Sequence, residues 1–417
     1  MQVIIFEDEK TLRFKPLVNL KPVFGLYTGC FSLQQKFEHA AAGNVALSYH
    51  LRNYLAPWFI EQHPGITVNT IVEDDLLLVN GRLLCDRAVI DVILEKAVEP
   101  GQAMIQNGSL LFCRTSPESI VRNAGMFPDL IDGNKLAGSV LARETSGFRL
   151  LENIWDVIAL HPYELRRDAA SLELGRHEGV IHSSAVLVNP SNIVIGKGAV
   201  VKAGAVLDAS DGFIHVGADA VVEPLAVLMQ QVYLASGVRV KAGAKIYSNV
   251  VIGRFSKVGG EIEDSVIEPY ANKQHDGYLG HSYISSWCNL GAGTNTSDLK
   301  NNYSKVRLVI DGQQLQTDLQ FMGLLMADHA KCSINSMFST GTVVGTAANI
   351  FGSGMPPKYV PSFSWGNGLS GFELYQIEKA VDTARKVMER RQIDMSIAYD
   401  RMFRLVAQLE TARKVFV

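Results

Sequence analysis

Aliphatic side chains recur every sixth residue through the middle of the chain, at Ile195, Val201 and Leu207 and, after a three-residue interruption, at Val216, Val222, Leu228, Leu234, Val240, Ile246, Ile252 and Val258. Four positions after most of them stands a small residue: Ala199, Ala205, Ala220, Ala226, Ala244 and Ser256. Several are followed directly by glycine, as in Ile195-Gly196, Val216-Gly217, Ile252-Gly253 and Leu290-Gly291, where a turn between flat faces calls for a permissive backbone. A β-sandwich has period two with irregular turns, so a sustained period of six points elsewhere. Three short strands form one triangular coil; the aliphatic residue fills its narrow interior, and only a small side chain fits the second inward position. One such coil cannot bury its face alone, and stacking supplies both a core and backbone partners. The pattern predicts a left-handed parallel β-helix from about residue 193 to 353, with crossovers opposite to the usual right-handed rule.

The frame reappears at Tyr278, Ile284 and Leu290, and again at Met326, Cys332, Phe338, Val344 and Ile350, so 259–277 and 297–321 are predicted to be loops thrown out of a continuous prism. Loops on a rigid scaffold are where function usually sits. Ahead of the prism, strand-like runs (Val3 to Phe6, Ile66 to Val72, Leu76 to Val79, Leu110 to Cys113) alternate with helical patterns around 31–39 and 45–60, which predicts an α/β domain. A connecting helix is expected over 150–172, and Gly175 to Pro190 leads into the first coil. From about Phe372, apolar residues three and four apart (Ile377, Val381, Ala384, Met388, Met395, Tyr399, Met402, Val406, Leu409) predict a terminal helix. A break near Asp394 to Ser396 would make it a pair. The expected divisions are 1–175, 176–370 and 371–417.

At 417 residues and 47% hydrophobic content the chain has material for two cores. Its 39 Lys and Arg balance 42 Asp and Glu without a charged block, which favours neither nucleic acid nor an anionic membrane as partner. No basic-then-apolar leader and no apolar run of membrane-spanning length stands out, so a cytoplasmic location is expected. Cys30, Cys85, Cys113, Cys288 and Cys332 are odd in number and scattered, which predicts reduced buried thiols instead of a disulfide framework or zinc site.

Candidate chemistry lies in Asn272-Lys273-Gln274-His275-Asp276-Gly277-Tyr278-Leu279-Gly280, just before the coil bearing Asn289-Leu290-Gly291-Ala292-Gly293-Thr294. A neutral imidazole at His275 could take a proton near neutral pH, although a histidine in a polar loop is more often an exposed or structural residue. The spacing of His275, Tyr278-Leu279-Gly280, the Asn289-to-Thr294 run and Asn302-Tyr303 resembles the acetyltransferase half of the bifunctional N-acetylglucosamine-1-phosphate uridylyltransferase and glucosamine-1-phosphate acetyltransferase family. A closer resemblance is to a sugar nucleotidyltransferase subgroup, through Lys257-Val258-Gly259-Gly260-Glu261, Asn272 to Gly277, Asp298-Leu299-Lys300-Asn301-Asn302-Tyr303 and Pro361-Ser362-Phe363-Ser364-Trp365-Gly366.

The resemblance implies an acyl-coenzyme A-dependent transferase, with acetyl-coenzyme A the expected donor and an amino sugar phosphate or nucleotide sugar the acceptor. It further implies a homotrimer, with the site between prisms, and a place in cell envelope biosynthesis. His275 would be the general base, and the tetrahedral oxyanion would need preorganised donors such as backbone N–H groups. Tyr278, Asn289 and Asn302 would contact the acceptor or orient the base. Lys273 and Lys305 are phosphate candidates, though a solvated lysine is the commoner case. Gly291, Ala292 and Gly293 would leave room for the acyl-coenzyme A, or simply form a tight coil corner. The insertion Asp298-Leu299-Lys300 departs from the family spacing and would displace Asn302.

The first domain resembles a sugar nucleotidyltransferase in outline. Such enzymes follow their first strand with a glycine-rich loop that approaches phosphate, whereas here the strand runs into Glu7-Asp8-Glu9-Lys10-Thr11-Leu12-Arg13. Arg13 and Lys21, with Pro16 and Pro22, keep parts of the family's nucleotide-binding elements. Arg82 stands where a magnesium-binding aspartate would follow Asn80-Gly81, leaving Asp74, Asp75 or Asp86 as substitutes. Mg2+ is expected only if this domain is active. Three other readings stand beside the acyltransferase: a bifunctional or purely nucleotidyl-transferring enzyme, a non-catalytic trimer that binds nucleotide sugars, and a metal site shared by His275, His281 and His329.

Overall fold

The computed structural model describes residues 1–42, 45–95, 98–118, 120 and 129–412, grouped into two compact units. The first, residues 1–26, 31–154 and 396–402, is built on a six-stranded mixed sheet. Its strands run in the order Leu47–His50, Gln2–Phe6, Leu76–Asn80, Ser109–Thr115, Gln102–Gln106 and Leu141–Glu144. The first three are parallel, and Ser109–Thr115 is antiparallel to both its neighbours. Gln2–Phe6 and Leu76–Asn80 are buried along their whole length, as expected of strands covered on both faces.

The helix expected around 45–60 is instead a strand, Leu47–His50, followed by a helix, Ala56–Gln62. Ser48, Tyr49 and His50 are all buried, so the apolar spacing there does not mark an amphipathic face; Pro57 sits in the first turn of the true helix. The strand expected over 66–72 reduces to one bridge, Val68 to Tyr49, because Asn69 takes a left-handed conformation (φ 51°) that ends any ladder. Helix Leu33–Ala41 begins with a capping box between Ser32 and Gln35.

The second unit holds the prism. Its first strand is Val180–Ile181 and its last regular coil strand Ser364–Asn367, so the solenoid starts two strands earlier than the periodicity suggested. One face carries eleven strands, a second six plus a detached pair, and the third nine, with parallel pairing from coil to coil throughout the regular turns. The predicted interior residues are buried in register, for example Val201 against Val222 and Leu207 against Leu228, with Ala199, Ala205, Ala220 and Ala226 at the tighter positions.

Two expectations about the prism change. Residues 259–277 are not extruded. The inward frame passes through Val258, Ile262, Ile267, Lys273, Leu279, Ile284 and Leu290, shortening to steps of four and five where corners are trimmed. Leu279, not Tyr278, therefore faces inward, and the coils are continuous. Residues 297–321 do leave the prism, carrying an antiparallel hairpin of Arg307–Ile310 and Gln313–Gln316. The glycines after the aliphatic positions also serve a different end. Gly196, Gly217, Gly253 and Gly291 do not have positive φ; a Cβ on Gly253 would lie 2.4 Å from Pro269 N, and one on Gly291 2.4 Å from Ser333 C. They let the next coil close down, while the left-handed corner falls to residues as large as Phe255, Tyr270 and Trp287. Those rings stack, Phe255 on Tyr270 at 5.5 Å and Tyr270 on Trp287 at 4.3 Å between centroids, which offsets part of a left-handed penalty of about 1–2 kcal/mol per residue.

The link expected as one helix is three short pieces, Asp156–Ala159, His161–Asp168 and Ala169–Ser171, the second opened by Pro162. The terminal helical segment starts later than expected, because Gly371–Leu374 pairs antiparallel with Ser364–Asn367. It comprises Ile377–Glu389 and Ile397–Thr411, broken where the Asp394-to-Ser396 signal placed it; Ser396 Oγ accepts from Tyr399 N at 3.1 Å. All five cysteines are buried, and no described helix is long and apolar enough to cross a membrane.

Gly253→Ala should lower the unfolding free energy by about 2 kcal/mol or more, because its new methyl meets the backbone of the next coil. Gly243→Ala, with φ 69° but open space around its Cβ, should cost about 1 kcal/mol from conformation alone. Urea denaturation of both variants separates the two causes, and a larger loss at Gly243 would contradict the close-packing account.

Candidate functional site

The corner that joins Asn272–Lys273 on the eleven-stranded face to Tyr278–Gly280 on the six-stranded face carries His275. The imidazole is exposed and, among the described residues, has no hydrogen-bond partner. Its backbone is anchored from beneath. Lys273 occupies the interior row in register with Val258, only 2% exposed, and its ammonium donates to the carbonyls of His275 (2.6 Å) and Gly259 (3.1 Å). Burial pushes its pKa down to about 8 against the opposing pull of Asp276. Lys273 therefore does not reach a substrate phosphate, contrary to the expectation from sequence; it props the corner from inside.

Tyr278 points away along the six-stranded face. Its hydroxyl donates to Asp298 Oδ2 at 2.9 Å and lies 3.4 Å from Glu263 Oε2. The same Asp298 oxygen meets His281 Nδ1 at 2.8 Å, while His281 Nε2 is 3.6 Å from Asp264 Oδ2 and the ring stacks on Phe321 at 5.0 Å. Burial, then the neighbouring Asp264 charge, raises the Glu263 pKa. Burial alone would raise Asp298 as well, but its hydrogen bonds from His281 and Tyr278 outweigh that and hold it below the usual carboxylate range. Burial first and then the Asp298 charge raise the Tyr278 phenol, which stays a hydrogen-bond donor.

Sequence reasoning missed Glu263 and Asp298 as members of this group and treated His281 only as a metal candidate. The signal was the Asp298-Leu299-Lys300 departure itself: Asp298 occupies the place beside Tyr278, and Asn302 is displaced into the exposed loop, where its Oδ1 accepts from Ser304 N at 3.1 Å. Lys305 is likewise exposed and pairs with Asp318 at 3.3 Å. Asn289 lies on the eleven-stranded face in register with Asn272. Gly291, Ala292 and Gly293 form the corner of that coil; Gly291 is pressed against the backbone of Ser333 and Ile334, so its missing side chain accommodates protein, and Gly293 N donates to Asp276 O at 3.0 Å. His329 is buried in the aromatic column beyond Trp287, where a shared metal cannot draw it out to His275 and His281.

In the first unit, the first two carboxylates after the first strand, Glu7 and Asp8, are neutralised internally. Arg52, buried, holds Glu7 through two 3.0 Å bonds and also donates to the carbonyls of Val18 and Lys21. Arg82, fully buried, grips Asp8 at 2.7 and 3.0 Å and donates to Leu151 O at 2.7 Å. The arginine at the expected magnesium position thus fills that position with an ion pair. Of the proposed substitutes, Asp75 is bound to Arg114 at 2.8 Å, Asp86 accepts from Val89 N at 2.8 Å, and Asp74 is exposed. The residues present therefore do not fit a magnesium ion at this place. Arg13 is largely exposed, 3.7 Å from Glu152, and Lys21 is half-buried.

Residues 3–177 match the family model described as sugar nucleotidyl transferase. A bifunctional sugar-1-phosphate nucleotidylyltransferase/acetyltransferase of Sulfurisphaera tokodaii is 28% identical over 98 residues, 23% of this chain and 24% of that protein. The bifunctional protein GlmU of Methanocaldococcus jannaschii is 28% identical over 101 residues, 24% of each chain. The matched stretches thus span about a quarter of these relatives' length. Among solved structures, the UDP-N-acetylglucosamine acyltransferase of Francisella novicida aligns with 52% of this chain and 72% of its own at 16% identity and TM-score 0.27. The acetyltransferase domain of PglB from Neisseria gonorrhoeae, in complex with acetyl coenzyme A, aligns with 41% and 71% at 20% identity and TM-score 0.18.

The interior ammonium makes a pH prediction. Lys273 binds its proton more weakly folded (about 8) than unfolded (10.5), so between those values the unfolded chain holds more protons and stability rises with pH. Below pH 8 the full cost of burying the charge is present. Unfolding free energies from urea titrations at pH 7 to 10 should climb through that window, and Lys273→Met should reduce the climb, leaving the share of Lys331, which burial also brings down to about 8; an unchanged slope would refute the buried charge.

Proposed function

We propose that this chain, similar to the GlmU-like proteins in setting a sugar nucleotidyl transferase-like domain ahead of a left-handed β-helix, is an acyl-coenzyme A-dependent transferase acting on an amino sugar phosphate or nucleotide sugar. The observation that carries the reading is the exposed imidazole of His275, without a hydrogen-bond partner among the described residues, on a corner whose backbone is pinned by Lys273. A general base must be free to accept and must not wander, and this corner satisfies both requirements. His275 takes the proton of the acceptor amine as nitrogen attacks the thioester carbonyl, then returns it to the departing thiolate of coenzyme A. The substrate's sugar would lie along the six-stranded face, where Tyr278 is held by Asp298 and Glu263. Assembly as a homotrimer would bring a second prism face to this corner.

The first domain, on this reading, binds or positions a nucleotide sugar without transferring the nucleotidyl group. What supports this is the pairing of Glu7 with Arg52 and of Asp8 with Arg82. A second assignment of the base is favoured by one distance, the 2.8 Å contact of His281 Nδ1 with Asp298, which is the arrangement that orients a catalytic histidine.

Free coenzyme A released from acetyl-coenzyme A, with glucosamine 1-phosphate and a panel of amino sugar nucleotides as acceptors, tests both. His275→Ala should reduce kcat at least about a hundredfold, the scale of a lost general base, with a smaller loss for His281→Ala. The reverse order moves the base to the His281–Asp298 pair. Absence of turnover with every acceptor, together with absence of coenzyme A binding, sinks the acyltransferase reading.

A further inference from the structure

The eleven-stranded face carries, on its outer side, a ladder of cations and amides in strict register: Arg239, Lys257, Asn272, Asn289, Lys331 and Asn349 on successive coils. At a coil spacing of about 4.8 Å, Lys257 and Lys331 stand about 14 Å apart with the two carboxamides between them. The end of helix Ile377–Glu389 and the following Arg390 and Arg391 close over this stretch and leave a cavity of about 380 Å3. Four cations, Lys257, Lys331, Arg390 and Arg391, line it, and Asn272 and Asn289 form its floor.

Charge balance is what makes the cavity unusual. Among the described residues no carboxylate lines it. Of the carboxylates on the adjoining helix, Glu378 pairs with Arg404 and Asp382 with Lys386, and neither these nor Glu389 line the cavity. Arg391 donates to Asn272 Oδ1 at 2.7 Å and Lys331 to His329 O at 2.7 Å, so both cations are held in place by neutral acceptors and keep further donors free. The neighbouring cations bear on Lys257. Burial, and then the charges of Arg391 and Arg239, lower the Lys257 pKa, while burial brings Lys331 down to about 8. A protein that gathers four positive charges around one cavity without a carboxylate is preorganised for an anion from solution.

We propose that this cavity binds the diphosphate of a nucleotide ligand. A single phosphate is too short to be shared by lysines that rise from coils three apart, whereas a diphosphate lying on the amide floor between them presents oxygens towards both side chains. The planar guanidinium groups of Arg390 and Arg391 suit phosphate oxygens two at a time. The volume, at the small end of ligand sites, takes a diphosphate and part of its ribose. The same chemistry belongs to two sources, a nucleotide sugar and coenzyme A. Only the choice of those two sources rests on the function proposed above; the anion site itself does not depend on acyl transfer.

Calorimetric titration of the full chain with inorganic pyrophosphate reads the site without any turnover. Pyrophosphate should bind, and should bind more weakly by about tenfold or more to Arg390→Ala/Arg391→Ala, the scale of lost charge-assisted hydrogen bonds. Lys386→Ala, on the same helix outside the cavity, should bind as the parent does. An unchanged thermal midpoint of the unliganded double variant establishes that it is folded, and Lys257→Ala supplies a second variant on the prism itself. Competition then identifies the source: displacement by coenzyme A but not by UDP-sugars assigns the acyl donor, and the converse assigns the nucleotide sugar. No pyrophosphate binding at millimolar concentration, equal binding by the parent and both variants, or inorganic phosphate binding as tightly as pyrophosphate would each overturn the proposal.

Discussion

A coil of this prism cannot stand alone, and the requirement that its backbone close onto the next coil at about 4.8 Å governs the rest of the second unit. That spacing decides why Gly253 and Gly291 have no side chain, why the interior alternates aliphatic and small residues, and why functional side chains can only occupy corners, outward rows or the extruded loop. It also explains how a chain of short strands, many of only two residues, holds a site rigidly. Each outward side chain inherits its position from hydrogen bonds above and below it, as Asn272 does between Lys257 and Asn289. The corner of His275 is stiffer still, because Lys273 reaches its carbonyl from inside.

The solenoid was legible because its interior rows are chemically uniform and strictly spaced, and the capping signal at Ser396 located the helix break for an equally local reason. Reading failed where the frame changed length. Between Val258 and Ile284 the corners are trimmed and a lysine stands among aliphatic residues, so the period vanished from the sequence although the coils continued. The Tyr278, His281 and Asp298 group was invisible for another reason: its members lie on one short strand, the corner after it and one loop, brought together by the excursion over 297–321. In the first unit, Leu47–His50 has helical spacing of apolar residues but joins the sheet beside Gln2–Phe6, a tertiary preference that no local pattern announces.

Two buried ion pairs balance the carboxylates that follow the first strand of the first unit. Glu7 and Asp8 would oppose a nucleotide if they faced solvent, yet each is matched by an arginine that also satisfies nearby carbonyls, through Val18 and Lys21 for Arg52 and Leu151 for Arg82. Breaking either pair by removing one partner would leave an uncompensated internal charge, at a cost of about 3–5 kcal/mol. These residues are thus committed to holding the strand ends together.

The lysine inside the prism also works as an address. Repeated coils offer nearly interchangeable partners, so a slip by one coil is the natural competing fold of any solenoid. An ammonium at one interior position forbids it: shifted up or down, Lys273 would face closed aliphatic rows instead of the carbonyls of Gly259 and His275. As with a lone polar residue in a coiled coil, a small loss of stability at one site is exchanged for a single permitted alignment of the whole stack.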